Sequence, residues 1–378
     1  LTVADLPDFP WDSLRPFADI ARAHDGGMVD LSVGSPVDPT PEVVRAAIRA
    51  ALDAHAYPQT IGTPALREAM VAWWARRRGV TTLSPANVLP TVGSKELIAL
   101  LPTILGIGAG QTVVYPRVAY PTYAVGAAIA GADGLASDDP DEWPENTGLV
   151  WLNSPGNPDG SVLDVEHLRR CVARARELDA VIVNDECYAE LNWVGSEPTP
   201  SILDPRVVGD SRDHVLAVYS LSKQSNLAGY RAGLLAGCSD LITRILGVRK
   251  HLGLMLPEPI QAAMVAALGD DAHVATQRER YRARRAVLRD AATAFGLTIE
   301  RSDAGLYLWA TDGRDCWEVV AELAARGVLV TPGSFYGADS ARHVRIALTV
   351  SDEGANLAAR RLRLPATEAD STVGAVTL

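Results

Sequence analysis

The stretch VYSLSKQSNLAGYRAG, residues 218–233, holds a single lysine, Lys223, with Ser220 and Ser222 before it and Arg231 eight positions on. An amine set among hydroxyls and a guanidinium can bond covalently to a carbonyl carbon while the neighbours hold an anion. Two further apolar runs end in polar groups of the same kind. LVWLN leads into SPGNPDG, which supplies Asn153 and Asn157, and AVIVN ends at Asp185, followed by Tyr188. NPDG alone is turn chemistry that any loop can carry. An amine, a carboxylate and several hydrogen-bonding groups at three run ends form a narrower pattern.

A fourth segment adds a site for an anion. TVGSKELIALLPTIL, residues 91–105, reads as a strand, Gly93-Ser94, then an amphipathic helix. Ser94 is in position for a plain helix N-cap, and the same helix start offers free N–H groups and the positive end of the dipole to a phosphate. Arg231 and Ser220 would add charge-assisted and neutral hydrogen bonds to that phosphate. The ligand implied carries one phosphate and a group that reacts with an amine. Pyridoxal 5′-phosphate meets both demands, its ring serving as an electron sink for the carbon next to the amine. Asp185 suits the partner of the ring nitrogen.

These groups need elements to converge them. TVVYP (112–116), LVWLN (149–153), AVIVND (180–185) and VLAVYS (215–220) read as buried strands, with helical stretches such as VEHLRRCVARARELD (165–179) between them. The alternation predicts an α/β fold with a mostly parallel central sheet covered on both faces, and ligands bind outside the carboxyl ends of such strands. After residue 260 a long helical pattern and three shorter strands, GLYLWAT (305–311), GVLVTPG (327–333) and HVRIALTV (343–350), suggest a smaller α+β domain. The expected division is an N-terminal arm and small-domain segment at 1–45, a large cofactor-binding domain at 46–265, a C-terminal small domain at 266–365 and a disordered tail at 366–378. The arm, rich in proline, reads as extended.

Composition narrows the partners. The 378 residues carry a formal charge of −11, and the longest basic run is Arg76-Arg77-Arg78, read as a solvated helix face, so no nucleic-acid footprint is visible. No apolar run approaches the ~20 residues that span a bilayer, and the start lacks a signal pattern, so a cytoplasmic protein is expected. The four cysteines and seven histidines are scattered without metal-ligand spacing, so no metal site is expected and the cysteines read as structural. Trp73, Trp74, Trp309 and Trp317 read as packing residues.

Taken in order, YPQTIGTPALREA (57–69), GSKE (93–96), AYPTY (119–123), NSPGNPDG (153–160), NDECYAEL (184–191), SLSKQSNLAGYRAG (220–233) and VRIALT (344–349) resemble the fold type I, class I/II aminotransferases across nearly the whole chain. The overall run, including FPWDSL, VDLSVGSPVDP and SDAGLYLWAT, looks most like the actinobacterial N-succinyldiaminopimelate aminotransferases of lysine and cell-wall precursor biosynthesis. The resemblance implies that Lys223 binds the cofactor aldehyde and shuttles the proton, and that Asp185 partners the pyridinium nitrogen. It implies that Tyr188 and Asn157 donate to the cofactor's phenolic oxygen and that Tyr120 stacks on its ring. Ser94, the backbone of Lys95, Ser220 and Arg231 match the phosphate cup, with Ser222 close by. Tyr57 matches a tyrosine that reaches the phosphate of a neighbouring subunit, which implies a homodimer with shared active sites acting on amino acids and 2-oxo acids.

In HVRIALTV the period of two sets Arg345 on the face opposite Val344, Ile346 and Leu348. It looks like the family's arginine for the α-carboxylate, the other reading being a salt bridge between domains. Gly34 matches a point where the arm approaches the substrate, and a simple turn explains it equally well. Asn157 is also expected near the substrate. Arg15, Arg249 and His251 are candidates for the far end of a substrate, with structural roles as the alternative. Another amino acid, aromatic, branched or aspartate-like, or carbon–sulfur lysis would use the same Lys223 and Arg345. A non-catalytic regulator on this scaffold would need a basic DNA-binding domain, for which the −11 charge gives no support.

Overall fold

In the computed structural model, residue 6 and residues 9–195 and 199–364 are described. The tail expected at 366–378 lies outside them, as do residues 1–5, 7 and 8 of the arm. Seven strands form one sheet in the order Val88–Val92, Ala232–Gly237, Val215–Ser220, Val181–Asp185, Thr147–Asn153, Thr112–Tyr115 and Asp133–Ala136. Only Ala232–Gly237 runs against its two neighbours. The other adjacent pairs are parallel.

Period-two packing explains the apolar runs. Along Val215–Ser220, Val215, Ala217 and Tyr219 enter one core while Leu216 and Val218 enter the core on the opposite face. Both faces of the strand are buried, as the continuous run VLAVY requires. A third core gathers a four-stranded antiparallel sheet, Thr331–Pro332, Val344–Ala347, Tyr307–Thr311 and Thr298–Glu300, beneath the helices Cys316–Ala325 and Asp352–Arg363. No helix among the described residues is long and apolar enough to cross a membrane.

Several elements differ from the sequence reading. The N-terminal segment is not merely extended: Pro10–Leu14 is a 3-10 turn and Arg15–Ala23 a helix, whose Phe17, Ala18 and Ala21 enter the third core. Pro16 sits in its first turn, where a missing N–H costs no bond, so a proline-rich stretch still starts a helix. GVLVTPG splits at Val330, because Val328–Leu329 finds a parallel partner in Val29–Asp30 while Thr331–Pro332 pairs with Val344–Ala347. The long pattern after residue 260 is two helices, Glu258–Gly269 and Asp271–Phe295, and the Asp270 carboxylate caps the second by accepting from the Ala272 N–H at 2.9 Å.

Arg76-Arg77-Arg78 is not a solvated face. Arg78 is paired with Glu186 at 3.0 Å with side chains 1% and 0% exposed, and Arg77 pairs with the buried carboxylate of Glu190. Both acids lie in the loop just beyond the Val181–Asp185 strand, so the helix Pro64–Arg78 ends in charges that buried carboxylates require.

Candidate active site

Of three neighbouring parallel strands, two end level, with Asn153 facing Asp185, and the third runs to Ser220, two residues past Val218, which faces Asp185. Beyond Val218 the chain reaches Ser220, whose hydroxyl accepts the Ser222 N–H at 3.2 Å and caps the four-residue helix Leu221–Gln224. That turn aims Lys223 across the strand ends, where its Nζ donates to the Gly34 carbonyl of the N-terminal segment. A cavity of about 470 Å³ opens here, lined by Lys223, Asp185, Tyr188, Asn157, Tyr120, Ser94, Ser220, Ser222, Arg231, Arg345 and Gly34. Two expected residues stay outside it. Tyr57 is 97% exposed, and the Lys95 side chain turns away over the Phe9 ring at 5.3 Å.

At the anion end, the helix Gly93–Leu105 begins at Gly93, so Ser94 is inside the first turn and is not its N-cap. Its hydroxyl is thereby released from capping. Gly93 has φ +73°, and a Cβ there would collide with the Arg231 guanidinium, so glycine lets the arginine lie against the helix start. Arg231 itself adopts φ +57° and has no carboxylate partner among the described residues.

At the opposite end, Asp185 is enclosed. Its carboxylate accepts from the Tyr123 hydroxyl and the Cys187 N–H, each at 3.1 Å, and no cation among the described residues pairs with it. Burial, only partly offset by those hydrogen bonds, pushes its carboxyl above the ordinary value. A protonated ring nitrogen would supply the missing charge.

Arg345 is equally short of a counter-ion. It is 3% exposed, donates to Asn157 Oδ1 at 2.9 Å and to the Ser32 carbonyl at 2.6 Å, and leaves its Nε without a partner. The guanidinium lies 3.9 Å from the Tyr307 ring centroid. No ion pair across domains engages it among the described residues, so the salt-bridge alternative falls away. Tyr307 also meets Tyr188, hydroxyl to hydroxyl, at 3.2 Å. Burial pushes the Tyr188 phenol well above its ordinary value, whereas at Tyr307 the Arg345 and Lys223 cations outweigh burial and bring it below. Gly34 is more than a turn: a Cβ there would collide with the Tyr307 hydroxyl.

Tyr307, Tyr123, Asn153 and Cys187 also line the wall, together with Phe9, Trp11, Val33 and Ala228. Sequence reasoning missed Tyr123, Tyr307 and Cys187 as site residues, and Cys187 is a wall group rather than a purely structural one. Spacing carried a usable signal for one of them, since Cys187 lies two residues after Asp185. Tyr307 emerges from the pairing of its strand with Val344–Ala347, where it faces Ala347 and lies diagonal to Arg345, on whose guanidinium its ring packs. Of the weaker candidates, Arg249 is buried against Glu96 at 2.6 Å, and Arg15 and His251 are exposed away from the cavity. Trp73 and Trp74 are core residues, Trp309 stacks on His343, and Trp317 packs on Phe17 and Phe335.

These residues fit pyridoxal 5′-phosphate. An uncompensated buried carboxylate stands at one end, a helix start with an arginine that has no carboxylate partner among the described residues at the other, and an amine between them, in a volume ordinary for a cofactor site.

Comparisons agree with this chemistry. The family model for aminotransferase class I and II matches residues 26–362. The chain is 55% identical to 4-dedimethylamino-4-oxo-anhydrotetracycline transaminase OxyQ of Streptomyces rimosus, covering 95% of this chain and 99% of that one. It is 52% identical to the probable aminotransferase Rv1178 of Mycobacterium tuberculosis, over 95% of this chain and 86% of that one. Among solved structures it resembles a probable N-succinyldiaminopimelate aminotransferase from Thermus thermophilus, with TM-score 0.84, 27% identity and coverage of 94% and 99%.

Proposed function

This chain belongs to the class I and II aminotransferases, enzymes dependent on pyridoxal 5′-phosphate that act on amino acids and 2-oxo acids, and from that membership we propose its substrates and the roles of its residues. The amino donor is N-succinyl-LL-2,6-diaminopimelate and the acceptor 2-oxoglutarate, giving the N-succinylated 2-amino-6-oxo acid and glutamate in the lysine and diaminopimelate pathway. The observation that carries the assignment of roles is the coexistence, in one cavity, of Lys223, Asp185 and Arg345, the last two buried without counter-ions.

The cofactor supplies an aldehyde for the amino group and a ring that draws electrons from the substrate's α-carbon. Lys223 would hold it through Nζ and, once the amine is free, would move the proton at the substrate's α-carbon. Asp185 holds a proton at the ring nitrogen. Tyr188 and the Asn157 amide donate to the phenolic oxygen; Asn157 Oδ1 is engaged by Arg345, which leaves its N–H groups for this task. Tyr120 covers the ring face. Ser94, the Lys95 N–H, Ser220, Ser222 and Arg231 bind the phosphate, and the exposed Tyr57 reaches the phosphate of the other subunit in a homodimer. Arg345, beside Gly34, takes the α-carboxylate of both substrates, which is how one site serves two unlike molecules. We assign the arm, large domain and small domain to 1–45, 46–265 and 266–365, and the enzyme to the cytoplasm.

Support for a donor with distal carboxylates comes from a second cavity of about 640 Å³ that shares Phe9, Trp11 and Tyr120 with the first and carries Lys95 on its wall, beside Arg117, which is paired with Glu142 at 3.5 Å and Asp339 at 3.8 Å. The likeness to the probable N-succinyldiaminopimelate aminotransferase of Thermus thermophilus points the same way. A second reading, a substrate with a planar apolar body, draws on the aromatic walls of that cavity, Trp11, Tyr120, Phe335 and Tyr336, and on the likeness to OxyQ. The deciding experiment adds N-succinyl-LL-diaminopimelate, glutamate or an aromatic amino acid, without any oxo acid, to the holoenzyme and follows its visible absorbance. Rapid bleaching by the first supports the donor assignment; bleaching by glutamate and the aromatic amine alone transfers it to the second reading.

A further inference from the structure

The helix that carries Lys223, Leu221–Gln224, has four residues and therefore few hydrogen bonds of its own. Its hold comes from outside. Tyr219 Oη donates to Gln224 Oε1 at 2.6 Å, and Gln224 Nε2 donates to Ser225 Oγ at 3.1 Å. Ser225 Oγ meets His273 Nε2 at 2.8 Å, and His273 Nδ1 meets Asp270 Oδ2 at 3.1 Å. An ionised carboxylate only accepts, so in the neutral imidazole the proton is placed on Nδ1 and Nε2 accepts from the Ser225 hydroxyl. Every donor then points the same way, from Tyr219 to Asp270.

Ser225, His273 and Asp270 are the residue types of a hydrolytic triad, but Ser225 has 0% exposure and its hydroxyl is spent on the imidazole. No substrate reaches it. One turn along the same helix face, Gln277 uses both ends of its amide: Oε1 accepts from Asn226 Nδ2 at 2.9 Å and Nε2 donates to Asp38 Oδ2 at 2.7 Å. Asn226 adopts φ +56°, a turn conformation that asparagine tolerates. Asp38 is clamped in turn by both terminal nitrogens of Arg284 at 2.7 Å, and it follows four residues after Gly34, whose carbonyl receives the Lys223 amine. The start of the Asp271–Phe295 helix thus grips the chain just after Lys223 and the segment that faces it.

We propose that His273 and Gln277 are positioning residues for Lys223, setting where its Nζ stands relative to the substrate carbon. The proposal rests on the reading of Lys223 as the cofactor lysine. The test uses holoenzyme of wild type, His273→Leu, His273→Gln, Gln277→Leu and the mild variant Ser225→Ala. It measures kcat, KM for both substrates, the pH midpoint of the visible band and Tm. In His273→Leu and Gln277→Leu kcat falls about tenfold with KM within about twofold, as expected when a reacting group is displaced but substrate binding is kept. The band midpoint moves in His273→Leu and, to a smaller extent, in Ser225→Ala. His273→Gln recovers most of kcat, because its amide oxygen accepts where Nε2 did. A His273→Leu enzyme with wild-type kcat and midpoint, whether or not its Tm drops, overturns the proposal; if that variant does not fold, the same result in Ser225→Ala overturns it. A wild-type protein that shows no visible band with pyridoxal phosphate overturns the Lys223 reading and this proposal together.

Discussion

Replacing Arg345 with lysine keeps a positive charge in the cavity and removes the planar fork. The guanidinium is held flat by Tyr307 at 3.9 Å, and is oriented by donating to Asn157 at 2.9 Å and Ser32 at 2.6 Å. A lysine ammonium can reproduce neither the stacking nor two parallel bonds to a carboxylate. A hydrogen bond to a charged group contributes about 1.5–3 kcal/mol, so losing one of two costs about 2 kcal/mol, or about 30-fold in kcat/KM. One arginine is proposed to receive the α-carboxylate of both substrates, so kcat/KM for the amino donor and for the 2-oxo acid should fall by similar factors in steady-state assays. The bound cofactor should still show its visible band, because Arg345 touches none of the proposed phosphate contacts and meets the ring contacts only through Asn157 Oδ1. A loss confined to one substrate, or a lysine enzyme within about threefold of wild type for both, would refute the shared-carboxylate argument.

Lys223→Ala should abolish turnover and the visible absorbance that comes from the lysine-bound cofactor, checked by spectrophotometry after reconstitution. Asp185→Asn should lower kcat by about 100-fold or more, since a neutral amide cannot hold a proton at the ring nitrogen. The same change should raise the Tm of the cofactor-free protein near pH 7. Burial raises the folded carboxyl above its unfolded value of about 3.9, so any stability tied to this group is present below that pH and lost as pH rises through the folded value. The Tm difference between mutant and wild type should therefore shrink towards zero in acid. Arg78→Met should lower stability by about 3–5 kcal/mol in urea titrations, because it strands the buried Glu186 carboxylate, and adding Glu186→Leu should recover part of the loss.

The second cavity bears on how such a scaffold chooses substrates. Its walls join the N-terminal segment, through Phe9 and Trp11, to the 3-10 turn Gly333–Tyr336 and to the start of the helix Thr122–Ala130. Substrate choice would then be set by residues from three distant parts of the chain, while Lys223, Asp185 and Arg345 remain the same for any amino donor. This separation explains why motifs around the cofactor identify the chemistry and say little about the far end of the substrate.

What could be read from the sequence alone follows from short-range physics. Strand runs such as VLAVYS betray themselves because a strand buried on both faces is apolar throughout a short length, and turn and cap residues mark where runs end. Lys223, Asp185 and Asn157 were legible as a site because parallel strands of one sheet present their carboxyl ends together, whatever the details of packing. The tertiary structure decided everything that depends on which distant segments meet. It buried Arg78 against Glu186 where a basic triplet looked solvated, and it turned part of a proline-rich arm into a helix packed on the third core. It brought Tyr307 under Arg345, and it joined Asp270, His273 and Ser225 behind the lysine across 48 residues of sequence. Local pattern specifies an element and its faces; burial and the pairing of charges belong to the contacts between elements, which no window of sequence contains.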